Sequence, residues 1–254
     1  MCITRSRVPK APVIDRDAQH RLSLTHPLCV VACCLLYVGC LGFSVAAAAE
    51  TPPVDMDNGE EINEVCAGCH GEYGEGGKQG EYPRIAGQPK QFLVDQLILF
   101  RERKRPNLAM VEYVDDRQMP DRDIHDVSAY LAAIELPTRL PPIDESDPRF
   151  DALARLEQAK RVLQIPRADG DIDAGEKLYK RECGSCHGRD GRGEQGGDVP
   201  LLAGQYTNYL WRQVDKYLDG VRIHDPSAPQ DRLLAEFSRQ QLQDIFAYVS
   251  TLDD

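Results

Sequence analysis

Apolar residues recur at helical spacing in two stretches of the chain, one at residues 92–100 and the other at residues 124–134. Positions three and four apart lie on one face of a helix, so each stretch predicts an amphipathic helix with one buried side. No stretch alternates apolar and polar residues for long enough to predict a strand. The pattern therefore predicts an all-α protein with glycine-rich loops between its helices. The apolar positions are Phe92, Leu93, Leu97 and Phe100 in the first stretch, and Ile124, Val127, Tyr130, Leu131 and Ile134 in the second.

The chain contains an internal repeat. Residues 66–71 recur as residues 183–188, and residues 83–88 recur as residues 200–205, both at an offset of 117 positions. Similarity at a fixed offset indicates a duplicated structural unit. We therefore predict two tandem small domains joined by a proline-rich linker, with boundaries at 57–135 for the first domain, 136–170 for the linker and 171–254 for the second domain.

The linker predicts one short helix of its own. Asp147 is a suitable N-cap, and Pro148 suits the first helical position because its missing N–H needs no partner there. We expect this helix to hold the two domains in a fixed arrangement, with a solvated spacer as the alternative. Its apolar side would consist of Phe150, Leu153, Leu156 and Leu163.

The first 49 residues have the pattern of a secretory signal peptide. Five basic residues precede the apolar stretch Leu28–Val45, which is followed by the small residues Ala46–Ala49. This order predicts export and cleavage near Ala49. The alternatives are an uncleaved membrane anchor that faces the periplasm and a lipid-modified Cys40. All three place residues 50–254 outside the cytoplasm.

The charge of the chain argues against one class of partner. The protein has 254 residues and a net charge of −11, and the part that follows the leader has a net charge of −14. So negative a surface repels nucleic acid phosphates. Nucleic acid binding is therefore not expected, and membrane association is expected only if the leader remains attached.

The cysteines carry the clearest chemical signal. Nine are present, and the four outside the leader form two Cys-x-x-Cys-His motifs, with Cys66, Cys69 and His70 in the first and Cys183, Cys186 and His187 in the second. This motif is the attachment signature of c-type haem, in which the thiols bind the porphyrin and the histidine binds the iron. A redox dithiol, a zinc site and a disulfide are the alternatives. A dithiol needs no histidine, and a zinc site needs four ligands in one place.

Outside the linker, residues 57–254 resemble the two-haem bacterial class I cytochromes c, the cytochrome c4 family. The resemblance rests on two Cys-x-x-Cys-His-Gly motifs, two Pro-x-x-Ala-Gly-Gln stretches and the closing Asp-Ile-His-Asp-Val-Ser-Ala-Tyr-Leu helix. It implies that the carbonyls of Pro83 and Pro200 accept a hydrogen bond from His70 and His187. It also implies a methionine as the sixth iron ligand in each domain.

Two methionines of the first domain are candidates for that ligand. Met119 precedes the last helix of its domain, and its counterpart in the second domain is Phe237, which indicates a core position. Met110 lies nine residues earlier, in the distal loop. We therefore predict Met110 as the ligand, with the alternative that both methionines only pack.

The second domain departs from the family pattern because it contains no methionine. His224 lies in its distal loop, at the position where the first domain has Asn107. This histidine could bind the iron, lie over an open iron, or belong to the surface. We predict that His224 is the sixth ligand of the second haem.

Four basic residues, Arg101, Arg103, Lys104 and Arg105, follow the first predicted helix. Such a run is typical of a solvated helix end. A second interpretation is that Arg105 and its repeat partner Arg222 pair with haem propionates.

These observations predict a periplasmic dihaem cytochrome c that carries electrons and performs no bond chemistry on a substrate. Its partners would be a donor and an acceptor redox protein, for which a haem-copper oxidase and a flavoprotein are candidates. One alternative is a haem subunit of a larger oxidoreductase, such as a flavocytochrome that oxidises sulfide. The other is a haem enzyme or gas-binding protein that uses an open second iron.

Overall fold

The computed structural model describes residues 53–144, 146–193, 197–228 and 232–252. The predicted leader lies outside these ranges. Within them the chain is helical, and its only β-type pairing is an isolated bridge between Gly77 and Tyr82, so the all-α prediction is confirmed. The helices are α1 (Met56–His70), α2 (Lys90–Arg101), α3 (Leu108–Val111), α4 (Asp121–Ala133), α5 (Ala152–Lys160), α6 (Ile172–Glu182), α7 (Gly184–His187), α8 (Thr207–Leu218) and α9 (Arg239–Val249).

Each domain is built around the contact between its first and last long helices. In the first domain α1 packs on α4, and in the second α6 packs on α9. The helices predicted from the apolar spacing are α2 and α4, and both are present. Their buried residues form the core of the first domain, which includes Val94, Phe100 and Ile124.

A glycine allows the close approach of the helices in both domains. A Cβ atom at Gly59 would lie 2.5 Å from the carbonyl oxygen of Asp126. A Cβ atom at Gly175 would overlap the carbonyl oxygen of Asp244. The crossing of the two helices therefore requires glycine at both positions.

The same two aspartates tie the first helix of each domain to the last. Asp126 accepts the backbone N–H of the N-cap residue Asp55 at 3.0 Å, and Asp244 accepts that of Asp171, also at 3.0 Å. Burial alone would raise the pKa of Asp126, but the hydrogen bonds from the Asp55 N–H and the Asn58 side chain, together with the charge of Arg122, outweigh it and lower the pKa. The carboxylate therefore stays ionised inside the domain at neutral pH.

The linker helix begins later than predicted. Asp151 is its N-cap and accepts the N–H groups of Leu153 and Ala154, so the assignment of the cap to Asp147 is wrong. Asp147 instead accepts the N–H of Arg149 at 2.9 Å in a tight turn. An aspartate in a turn and an aspartate at an N-cap make the same kind of hydrogen bond, and the sequence does not distinguish them.

The apolar side of α5 is only partly covered. Leu153 and Leu156 are 68% and 55% exposed, whereas Leu163, beyond the helix, is 4% exposed and donates its N–H to the carbonyl of Pro137. The residues that follow α5 attach the linker to the domains, since Arg161 lies over the Tyr73 ring of the first domain and the N–H of Ala168 donates to Ser250 Oγ of the second at 3.0 Å. Within the described residues, no helix has the length and apolar character needed to cross a bilayer.

We expect Gly175→Ala to destabilise the protein by about 1–3 kcal/mol, because the added methyl group forces α6 away from α9. Alanine favours an isolated helix over glycine by about 1 kcal/mol, so a loss of stability would have to come from packing. Denaturant unfolding of the purified protein measures the change. Gly184→Ala is the control, since a Cβ there has its nearest neighbour at 3.5 Å and the first domain has Ala67 at that position. Equal stability of the two variants would contradict the proposed contact.

Candidate functional site

The two Cys-x-x-Cys-His motifs lie at equivalent places in the two domains. In the first, Cys66, Cys69 and His70 form the last turns of α1. In the second, Cys183 is the C-cap of α6, and the short helix α7 carries the motif to His187. Both histidines are buried, so each motif points its imidazole into its own domain.

The state of the thiols argues against three alternative sites. All four cysteines in the described ranges are free, so no disulfide forms there. Burial raises the pKa of Cys66 and of Cys183 to about 11, so neither of these two is an activated thiolate. No cluster of three or more metal-binding side chains occurs in the described part of the chain, which argues against zinc.

Each motif histidine is oriented by a proline carbonyl, as the family resemblance implies. His70 Nδ1 lies 2.9 Å from the Pro83 oxygen, and His187 Nδ1 lies 3.0 Å from the Pro200 oxygen. A carbonyl only accepts hydrogen bonds, so Nδ1 carries the proton and Nε2 has a free lone pair. That nitrogen is then available to bind iron.

Burial lowers the pKa of both motif histidines, although the hydrogen bond to proline acts in the opposite direction. At His187 the nearby His224 lowers the pKa further. Both imidazoles are therefore neutral at pH 7, which is the form that binds a metal.

A tight loop fixes the position of each proline. The carbonyl of Gly74 accepts the N–H groups of Ile85 and Ala86, at 2.8 and 2.9 Å. Gly191 makes the same contacts in the second domain, and both glycines have a φ of +69°, which favours glycine. The segment that follows each proline is therefore folded back onto the loop that follows the histidine.

Two buried glutamines join the domains beside these prolines. Gln205 accepts the N–H of Arg84 through Oε1 at 3.0 Å and donates from Nε2 to the Arg84 carbonyl at 2.9 Å. Gln88 makes the same two contacts with Leu201, each at 3.0 Å. Arg84 and Leu201 are repeat partners, so the interface has an approximate two-fold symmetry. We call each of these pairs of contacts a glutamine clasp.

A second symmetric cluster lies in the same interface. Arg105 donates to Gln96 and to the Tyr209 hydroxyl, both at 2.9 Å. Arg222 donates to Gln213 at 2.8 Å and to Gln96 at 2.9 Å. Each glutamine therefore connects arginines from the two domains, since Gln213 also accepts from Arg105 at 3.3 Å.

The two arginines of this cluster are buried positive charges. Arg105 and Arg222 are 8% and 9% exposed, and neither forms an ion pair with any described residue. Buried charges are normally paired, so this cluster suits an anionic group such as a haem propionate. The interpretation of the basic run as a solvated helix end is wrong for Arg105. The left-handed backbone of Arg103, with φ of +59°, turns the chain after α2 and directs Arg105 inwards.

His224 lies opposite the motif histidine of the second domain. The ring centroids of His187 and His224 are 6.1 Å apart. Two imidazoles on opposite sides of one metal have centroids roughly 6 Å apart, because each nitrogen lies about 2 Å from the metal and about 1 Å from its own ring centre. The Tyr217 ring packs edge-on against His224 at 5.1 Å. The residues present therefore fit an iron held between two histidines.

Met110 and Met119 both belong to the apolar cluster of the first domain. Met119 is 7% exposed and packs with Val94, Phe100, Val114 and Ile124, whereas Met110 is only partly buried at the edge of this cluster. Phe237, the repeat partner of Met119, packs against the core of the second domain. This arrangement agrees with a core role for Met119, and ligation by Met110 remains a prediction.

The glutamines of the interface were not assigned a role from the sequence. Gln88, Gln96, Gln205 and Gln213 appear in the sequence only as matching letters of the repeat. A signal was nevertheless present, because each is a polar residue kept in both copies next to apolar positions. What the repeat does not reveal is that each glutamine contacts the other domain.

Comparison with known proteins assigns both domains to one family. The cytochrome c family model matches residues 56–135 and 172–253. The cytochrome c4 of Pseudomonas aeruginosa is 26% identical over 219 residues, which cover 86% of this chain and 96% of that protein. A thiosulfate dehydrogenase electron acceptor of Thiomonas intermedia is 30% identical over 161 residues, which cover 63% of this chain and 66% of that protein.

A solved structure shares the fold. The crystal structure of reduced recombinant cytochrome c4 from Pseudomonas stutzeri superposes with a TM-score of 0.59 at 22% identity. The match covers 78% of this chain and 98% of that chain. The two-domain organisation is therefore common to both.

We expect Met110→Ala to abolish the weak sulfur-to-iron charge-transfer band at the red end of the ferric absorption spectrum, because it removes the thioether that we predict to bind iron. Met119→Leu is the matched control, since it keeps a similar volume in the core and should leave the band in place. If Met119→Leu loses the band and Met110→Ala retains it, the assignment of the ligand is wrong.

Proposed function

Since the chain belongs to the cytochrome c family and has the two-haem organisation of the cytochromes c4, we propose that it is an exported electron carrier whose two haems have different axial ligands. Two haem c groups are covalently bound, and each supplies a one-electron ferric–ferrous couple. We assign their attachment to Cys66 and Cys69 in the first domain and to Cys183 and Cys186 in the second. His70 and His187 would bind iron through Nε2.

The single observation that carries the proposal of unequal haems is the 6.1 Å separation of the His187 and His224 rings. The first domain has Asn107 in place of His224 and offers Met110 three residues later, in α3. We therefore assign His70 and Met110 to the first iron, and His187 and His224 to the second.

Unequal ligation gives the two sites unequal potentials. An imidazole donates more electron density to iron than a thioether does, so it favours the ferric state and lowers the potential. The second haem then has the lower reduction potential of the two. An electron that enters at the second domain moves downhill in free energy to the first domain, which gives the carrier a direction.

Export is part of the proposal and is supported by the leader. A basic segment, an apolar stretch and the exit Ala46–Ala49 are typical of secreted proteins. Covalent haem attachment at Cys-x-x-Cys-His agrees with a destination outside the cytoplasm. We therefore propose the periplasm as the site of function.

We expect His224→Ala to convert one of the two haems to a high-spin form that binds carbon monoxide when reduced, because the iron loses its sixth ligand. Absorption spectra of the reduced protein with and without carbon monoxide measure the fraction that binds. Asn107→Ala is the matched control at the equivalent position of the first domain, and it should bind no carbon monoxide. Carbon monoxide binding by the unaltered protein at one haem would contradict ligation by His224 and would favour the gas-binding alternative.

A second candidate function is supported by a relative. The Thiomonas protein described above is a thiosulfate dehydrogenase electron acceptor, and it is 30% identical to this chain over 161 residues. Coupling of two thiosulfate ions through a sulfur–sulfur bond releases two electrons, and a dihaem carrier has room for both. We propose such an enzyme as one electron donor.

If a thiosulfate dehydrogenase is the donor, the enzyme and thiosulfate together should reduce both haems, as followed by the absorbance of ferrous haem. The part of the chain after the leader has a net charge of −14, and charged partners are steered to each other. The rate of haem reduction by the enzyme should therefore depend on ionic strength. The enzyme without thiosulfate is the control. A carrier that dithionite reduces fully and the enzyme does not reduce would exclude this donor.

A further inference from the structure

One peptide group in the first domain faces both the motif histidine and the other domain. The carbonyl of Pro83 accepts the Nδ1–H of His70 at 2.9 Å. The N–H of the same peptide group belongs to Arg84 and donates to Gln205 Oε1 at 3.0 Å. A continuous hydrogen-bonded chain therefore runs from the histidine of one domain to a glutamine of the other.

The second domain repeats this arrangement. The carbonyl of Pro200 accepts from His187 at 3.0 Å, and the N–H of Leu201, in the same peptide group, donates to Gln88 Oε1 at 3.0 Å. The geometry is thus reciprocal, because each domain supplies the glutamine that acts on the other. It also does not depend on the distal loops, where the two domains differ.

We propose that the glutamine clasps tune the reduction potential of the haem in the opposite domain, Gln205 acting on the first haem and Gln88 on the second. This inference rests on the proposed ligation by His70 and His187. Gln88 and Gln205 are positioning residues, since each acts on the iron through a peptide group and a histidine.

The direction of the effect follows from hydrogen-bond cooperativity. When a peptide N–H donates to a glutamine oxygen, electron density moves toward the carbonyl oxygen of that peptide group. The carbonyl then accepts more strongly from the histidine Nδ1–H, and the imidazole becomes a stronger donor to iron. A stronger donor favours ferric iron, so each clasp lowers the potential of the haem that it faces.

Burial makes this coupling effective. Gln88 and Gln205 are 3% and 4% exposed, so water does not compete for either hydrogen bond. Each side-chain amide donates to one carbonyl and accepts only from N–H groups, which fixes its oxygen toward the N–H. Gln205 Oε1 also accepts the N–H of Tyr206, at 3.1 Å. The amide that polarises the peptide group is therefore held in one orientation.

The test measures both potentials in the holoprotein of Gln205→Met, a variant that keeps the length of the side chain and loses its three hydrogen bonds, two with Arg84 and one from the Tyr206 N–H. We expect the ratio of reduced to oxidised first haem at a fixed solution potential to rise about threefold, which corresponds to about 30 mV for a one-electron couple. The ratio of reduced to oxidised second haem should not change. Gln88→Met should have the converse effect, raising the potential of the second haem and leaving that of the first unchanged.

The control removes a different contact across the same interface. Asn208 Nδ2 donates to the Gln79 carbonyl at 3.2 Å, away from both proline peptide groups. Asn208→Ala should therefore leave both potentials in place. Equal shifts in Asn208→Ala and Gln205→Met would show that loosening of the interface is the cause, and the proposal would be overturned.

A direct readout separates this inference from the ligation on which it rests. In the reduced, diamagnetic protein, nuclear magnetic resonance of the ligand imidazole Nδ1–H reports the strength of its hydrogen bond. Gln205→Met should move this signal for His70 only, and Gln88→Met for His187 only, so either variant alone tests the proposal if the other fails to fold. Absence of both signals in the unaltered protein would contradict ligation by the motif histidines. Signals that are present and unmoved in a folded variant would overturn the tuning role.

Discussion

The hydrogen bond from each motif histidine to a proline carbonyl is the contact on which the rest of the structure depends. It fixes the tautomer of the imidazole and leaves Nε2 for the metal. The peptide group of this carbonyl is held in place on one side by the glycine loop that follows the histidine, and on the other by a glutamine of the opposite domain that accepts its N–H. Orientation of the ligand and association of the domains are therefore achieved by the same peptide group.

Contacts between the domains also fix the distal side of both sites. Arg105 and Arg222 are buried between the domains, and each lies two residues before the distal position, Asn107 or His224. Because the arginine fixes the start of the loop, the loop cannot move far from the interface. Both the proximal peptide group and the distal loop of each site are thus anchored by contacts with the other domain.

Most of the fold could be predicted from the sequence because its signals are local. Helical spacing predicted α2 and α4, and the repeat predicted two equivalent domains. The N-cap of α5 was missed because Asp147 and Asp151 both suit a hydrogen bond to a nearby N–H, and only the surrounding packing distinguishes a turn from a cap. The burial of Arg105 was missed for a related reason, since it depends on the left-handed backbone at Arg103 and not on the run of charges.

The candidate site likewise has residues that the sequence predicts and residues that it does not. The cysteines and histidines of the two motifs lie together in the sequence, so their pattern is readable without a structure. The roles of Gln88 and Gln205 are not readable, because each contacts backbone more than a hundred residues away, and a backbone contact leaves no trace in the identity of its partner. Arg84 and Leu201 illustrate this point, since they occupy equivalent places and differ completely as side chains.

The symmetry of the interface and the asymmetry of the distal loops have different physical consequences. Symmetric clasps act on both haems in the same direction and so leave the difference between the two potentials nearly unchanged. The distal residues differ between the domains, with a thioether available at Met110 and an imidazole at His224, and they can separate the potentials. Because the distal side chains do not contribute to the glutamine clasps, a change of ligand can alter the driving force for electron transfer without disturbing the contacts that hold the two domains together.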